Sequence, residues 1–277
     1  MSLPGVHPFV VRALAAFLAL ALIIGVLFSG VVPVRLALAS NYPVVEATNT
    51  YQTNSTISSH NVNLPSGIQS GDLLILIFRA ASAVTVSTDP TGWTPLSSRN
   101  STGATYIWYR EADGSEGSTV TVTTDSTIRA AANTYRISNW SGTPEAAFAS
   151  TNVNNPPALS PSWGSDDTLW IAVMTNRRSD SSVTAAPTGY QDLITVAQSS
   201  STGTTRDRVS SAWIDDTTDT EDPAAFSTTG TINTPHSATI AIQPAPIGPV
   251  SAPVRIMHLF EGFVIRFMSG RIIIGGG

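Results

Sequence analysis

The sequence predicts an all-β protein, a jelly-roll-like β-sandwich built from two related halves, on three observations. Short apolar runs alternate with Gly-, Pro-, Ser- and Asp-rich clusters from Asn41 to about Gln243, and none shows sustained helical periodicity. Ser and Thr fill the polar positions, while charged residues make up only 12%; Thr suits a pleated face and both are mediocre helix formers. The third observation is an internal repeat. Pro-Thr-Gly-aromatic is written twice, as Pro90-Thr91-Gly92-Trp93 and as Pro187-Thr188-Gly189-Tyr190.

Residues 1–40 come first. The charge-free run Ala13–Val34 follows Arg12 and is long enough to cross a bilayer as a helix. Ser29, Gly30 and Pro33 then break it, and Ala37-Leu38-Ala39 offers a small-residue cleavage signature before Ser40. That order is the one of a secretory signal; an uncleaved anchor is the alternative reading. Either makes the rest of the chain secreted or cell-surface, touching a membrane only through residues 13–34 if uncleaved. The absence of cysteine removes disulfides and thiolate metal sites.

Residues 41–244 carry the predicted sandwich. The turns Pro65-Ser66-Gly67 and Ser70-Gly71-Asp72 lead into the apolar strand Leu73–Phe78. The segment Ser70–Phe78 aligns with Ser165–Val173 at an offset of 95, and the two Pro-Thr-Gly turns at 97. Trp108 aligns with Trp213 at 105, and Ala130–Ser138 with His236–Pro244 at 106. Preserved order with drifting offset marks a duplicated unit of about six strands. The half-repeats fall at about 56–140 and 157–244, with Gly142–Trp163 as the link. In the repeated turn, Pro pre-sets φ at the second position and Gly supplies a left-handed residue. A unit of under about 100 residues without disulfides is marginal alone, so one shared sandwich is expected rather than two tandem domains. The runs Leu73–Phe78 and Thr168–Val173, nearly continuous in apolar residues, belong at its core.

Residues 245–254 read as a Pro-rich linker and 255–277 as a hydrophobic β-meander. Three short strands, Arg255–Phe260, Phe263–Met268 and Arg271–Ile274, are apolar on both faces. Such a piece is expected to dock on the main domain, on a partner, or on copies of itself.

Composition excludes some functions. From Asn41 onward there are 12 Arg, no Lys and 19 acids, a net charge of −7 with no basic stripe, so nucleic acid is not an expected partner. Past the leader the histidines are His60, His236 and His258, and none sits in a nucleophile or zinc motif. His60 and His236 lie beside strand starts, where solvated turn histidines are common. No catalytic residue is assigned and no enzyme is expected.

The acidic turns suggest calcium. Asp113 and Glu116 in one, and Asp215, Asp216 and Asp219 in the other, provide the clustered oxygen ligands that calcium takes; solvated turns are the plainer reading. No other cofactor is implied. Exposed aromatic faces stack on sugar rings, and Trp93, Tyr190 and Trp140 lie beside turns, whereas Trp108, Trp170 and Trp213 lie in strands as core anchors. The segments "NLPSGIQSGDLLILIF", "PTGWTPLSS", "EADGSEGSTVTVTT" and "PSWGSDDTLWIAV" resemble a group of bacterial and phage-type β-sandwich proteins, tail-fibre-like or surface-borne. The resemblance covers about Asn61 to Gln243. It implies a fold and a surface or virion-associated role, and no catalytic residue. The expected function is therefore binding or adhesion with a glycan as ligand. The first alternative is a virion or cell-surface subunit assembling through 255–277; the second is a polysaccharide-active enzyme using two of the loop carboxylates.

Overall fold

The computed structural model describes residues 41–177, 182–198, 206–230 and 232–247, and the backbones of three C-terminal strands. The expectations for residues 1–40 and for most of the 245–254 linker lie outside the described residues. No helix among the described residues is long and apolar enough to cross a membrane.

The described chain is all-β, with two main antiparallel sheets packed as a sandwich. The strands of the first half are β1 (Val44–Asn63), β2 (Leu73–Ala80), β3 (Val86–Thr88), β4 (Thr94–Asn100), β5 (Ala104–Glu111) and β6 (Thr119–Ser138). Those of the second are β7 (Trp140–Phe148), β8 (Thr168–Arg177), β9 (Ser182–Ala185), β10 (Gln191–Ala197), β11 (Asp207–Asp216), β12 (Ser227–Thr229) and β13 (His236–Pro244). The first sheet runs β1-β6-β2-β5-β4 and the second, read from its other edge, β7-β13-β8-β11-β10. Matched in chain order, the two sheets have the same strand order.

One apolar core lies between the sheets. Leu73, Ile75 and Ile77 of β2 meet Leu169, Ile171 and Val173 of β8 there. Each half also buries its opposite face. In the first, β1 and β6 are 20 residues long and bend at register shifts near Ile57. Their far ends fold over the sheet, so Val62 and Val122 pack on Leu74, Leu76, Phe78 and Trp108. In the second, β12 pairs with β9, and Phe226 packs on Ala172 and Met174. The arrangement is one sandwich with a shared core and a smaller core on either side.

These faces correct the sequence alignment by one residue. The outward face of β2 is Leu74-Leu76-Phe78, while that of β8 carries Ala172 and Met174. Matching faces requires an offset of 96 (Phe78 with Met174), not 95. Trp108 then corresponds to Ala212, and Trp213 to Tyr109; both members of the latter pair border the inter-sheet core. A slip of one residue moves every side chain to the other face, and the likeness of two tryptophans conceals it.

With that register the repeated turn is explained. Trp93 N–H donates to Pro90 O at 2.9 Å and Tyr190 N–H to Pro187 O at 3.1 Å. Pro is therefore the first residue of each turn, not the second, and Gly the third, at φ +80° and +88°. Each glycine lies over the equivalent side chain of the next strand, Gly92 over Arg110 and Gly189 over Ile214. The proposed link Gly142–Trp163 also needs correction, because its first residues belong to β7, paired with β13. The halves thus begin at β1 and β7, earlier than residues 56 and 157. Gly142, Pro144 and Ala146-Ala147 have low strand propensity, and pairing supplied by the neighbour overrides it.

Matched strands run in the same direction, since Arg79 at the end of β2 meets Thr175 near the end of β8. β1 packs against β10 and β4 against β7. This is an approximate two-fold axis lying along the strands, between the sheets. The C-terminal strands β14 (Met257–Phe260), β15 (Phe263–Met268) and β16 (Arg271–Gly276) form a separate antiparallel sheet.

Candidate functional site

Two polar features stand out from the apolar framework, one at each end of the strands. The first is buried between the sheets. Arg79 is fully buried and ion-paired with Asp207, itself 1% exposed, at 3.5 Å. Its guanidinium also donates to Thr105 (3.3 Å), Thr175 (3.4 Å) and Thr234 Oγ1 (3.3 Å), and lies 3.0 Å from His236 Nδ1. Gly103 leaves room for it; a Cβ there would come within 2.1 Å of the guanidinium. Burial pushes the Asp207 carboxyl up despite the neighbouring cation.

His236 Nε2 lies 2.8 Å from Ser101 Oγ, which resembles a nucleophile–base pair. Its chemistry is the reverse. Arg79 can only donate, so Nδ1 must accept and Nε2 must carry the proton. That tautomer donates to Ser101 and cannot take its proton, which base activation requires. Burial first, then Arg79 and Arg99, hold His236 down at about 3. His60 is also fully buried, edge-on to Phe78 at 5.3 Å, and burial lowers it to about 4. Both histidines are thus interior residues rather than solvated turn residues.

The second feature is a polar groove at the opposite end, on the outer side of the first half. Two adjoining clefts of about 360 and 560 Å³ share Leu64 and Glu116. Thr91, Thr119 and Thr121 line one, and Asn63 and Ser66 the other. Glu116 is fixed from three sides: Arg110 at 3.1 Å, Asp113 N–H at 2.6 Å and Gly114 N–H at 3.0 Å. Asp113 in turn accepts from Arg110 and from Ser115 N–H. The acidic loop is a closed, self-satisfied turn clamped by one guanidinium.

That clamp bears on the calcium expectation. The oxygens of Asp113 and Glu116 are already engaged, and no three acidic or imidazole groups among the described residues are gathered to hold a metal ion. In the second loop Asp215 and Asp219 are exposed residues and Asp216 is half-buried; partial burial of the Asp215 carboxyl raises it. Its neighbour Glu221 bridges to Leu159 through the backbone and accepts from Tyr190 Oη at 3.2 Å.

The three aromatic candidates are not a shared platform. Trp93 is only 6% exposed and packs in the first half's outer core. It lies beside a turn, but the turn folds the ring inward, and the residue still borders the groove. Tyr190 is half-buried in the matching position, and burial, then Glu221, drive its hydroxyl far above the ordinary range. Trp140 is half-buried and donates Nε1–H to Gly71 O at 2.9 Å, joining the second half to the first. Trp108 and Trp170 are core anchors as expected, whereas Trp213 is partly exposed. No family model, curated protein or solved structure matches the chain.

Proposed function

We propose that the protein is a non-catalytic binding protein of an exported surface, and that it takes a neutral glycan in the groove above Arg110 and Glu116. The observation that carries this reading is the pair of adjoining clefts, lined by hydroxyls and amides around one rigid Arg–Glu clamp. Sugar hydroxyls need paired donors and acceptors, and side chains already fixed by the fold lose little entropy on binding. The clefts fall in the size range of small-ligand sites. Contact is by hydrogen bonding along the groove, with Trp93 as its apolar element. Export rests on the leader sequence. Glu116 is held by Arg110 and by two backbone N–H donors, an arrangement that supports a positioning role and so binding over hydrolysis.

A glycan array followed by titration tests this. Wild type should bind at least one neutral glycan tighter than about 1 mM, and Thr91→Ala/Thr119→Ala should weaken it at least about tenfold. No bound glycan, or an unchanged double variant, overturns the reading. One observation favours an assembly role as a second reading: among the described residues β14–β16 pair only with one another, leaving two edges for strand addition. Removal of residues 255–277 would then lower the mass measured in solution.

A further inference from the structure

We propose that the end of the sandwich opposite the groove binds the oxyanion groups of an acidic polysaccharide, its sulfates or carboxylates. Six arginines converge there: Arg79 ends β2, Arg99 ends β4, Arg177 ends β8, Arg206 and Arg208 flank Asp207 at the start of β11, and Arg129 on β6 accepts the Ala81 N–H through its carbonyl. The described acids at this end are Asp125 and Asp207, in a chain that is otherwise strongly acidic. Asp207 is committed to Arg79.

The contrast with the groove end is chemical. There, Arg110 and Arg136 are each held by a carboxylate, at 2.9 and 2.6 Å. Arg99, Arg129, Arg177 and Arg206 have no carboxylate within 4.0 Å among the described residues, and all four are only half-buried. The crowding is felt: Arg206 helps hold the Arg208 guanidinium below its ordinary value, and Arg177 acts likewise on Arg79, in each case after burial. A bound anion relieves that repulsion. Guanidinium forks match the planar or tetrahedral oxygens of carboxylate and sulfate through paired hydrogen bonds. Charged groups spaced along a sugar chain suit a cluster confined to one end. A nucleic-acid duplex, charged along its whole length, would meet the acidic remainder of the surface, and among the described residues no exposed aromatic sits among these arginines to stack a base.

The test has two arms, and neither uses the groove. Sulfate should raise the melting temperature above that in chloride of equal ionic strength. General salt exclusion acts on every variant alike, so the readout is the excess of wild type over Arg177→Ser/Arg206→Ser, whose folding is checked by its melt in chloride. On immobilised polymers, wild type should stay on sulfated polysaccharide or polyuronate, pass through neutral dextran, and elute at higher salt than the double variant. Equal sulfate shifts in the two proteins, equal retention, a sulfate shift without polymer retention, or tightest retention on duplex DNA would each overturn the proposal.

Discussion

In the first half, the face turned away from the partner sheet is covered by the bent ends of its own longest strands, β1 and β6. In the second, β12 is short, and the chain between Ala149 and Trp163 takes over. Val153 O accepts from Ser237 Oγ, Pro157 O from Thr239 Oγ1, and Asn154 donates to Phe226 O. The same framework therefore ends in an open groove on one side and a filled one on the other. The halves also part company near the two-fold axis. A residue there meets its own counterpart, so two copies of a bulky or charged side chain would collide. Arg79 and Thr175 occupy matched positions and touch; one is large because the other is small. The two halves share a frame, and their difference at self-facing positions closes it.

The largest effect should come from breaking that asymmetry. Arg79→Leu strands Asp207 in the interior and should cost about 3–5 kcal/mol. Thr175→Val, at the matched position, should cost only about 1 kcal/mol. Chemical denaturation of both variants measures the contrast, and equal losses would undo the symmetry argument. Next, Trp108→Ala opens the first half's outer core and should lose about 3–5 kcal/mol, while Trp213→Ala, half-exposed, should lose clearly less. If the two tryptophans prove equivalent, the offset of 105 is right and the corrected register wrong.

Acid is the gentlest probe. His60 and His236 are held neutral when folded, at about 4 and about 3, against an ordinary value of 6.5. Below pH 6.5 the unfolded chain takes up protons that the folded one refuses. Their contribution is therefore complete above pH 6.5 and is lost as pH falls toward 4 and then 3. The raised carboxyls of Asp207, Asp215 and Glu221 act in the opposite sense and offset part of the loss at low pH. His60→Phe should flatten the fall in melting temperature between pH 6.5 and 4; an unchanged slope would remove His60 from the account.

Much of the fold was legible because it is written locally. Strand runs such as Leu73–Phe78, the turn glycines and the repeat all leave period and spacing in the sequence. Faces were not, because Trp108 and Trp213 look alike while pointing to opposite sides of their sheets. β7 was missed because its Gly, Pro and Ala hide a strand that exists through its pairing. The buried cluster joins residues far apart in the chain, Arg79 with Asp207 and His236, so no motif announces it. One signal was available: Arg79 continues an unbroken apolar strand, "LLILIFRA", and a charge in that position needs partners inside. The packing of the aromatic candidates was hidden for the converse reason, since proximity to a turn says nothing about which way a ring folds.

The direction of the two-fold axis has one more consequence. An axis laid across the strands would have exchanged their ends, and the carboxylates of one copy would have cancelled the guanidiniums of the other. Lying along them, it stacks like upon like and gives the described sandwich an electric head and tail. In the proposed reading, an acidic polymer held at the arginine end would leave the groove, at the other end of the strands, free for a second ligand.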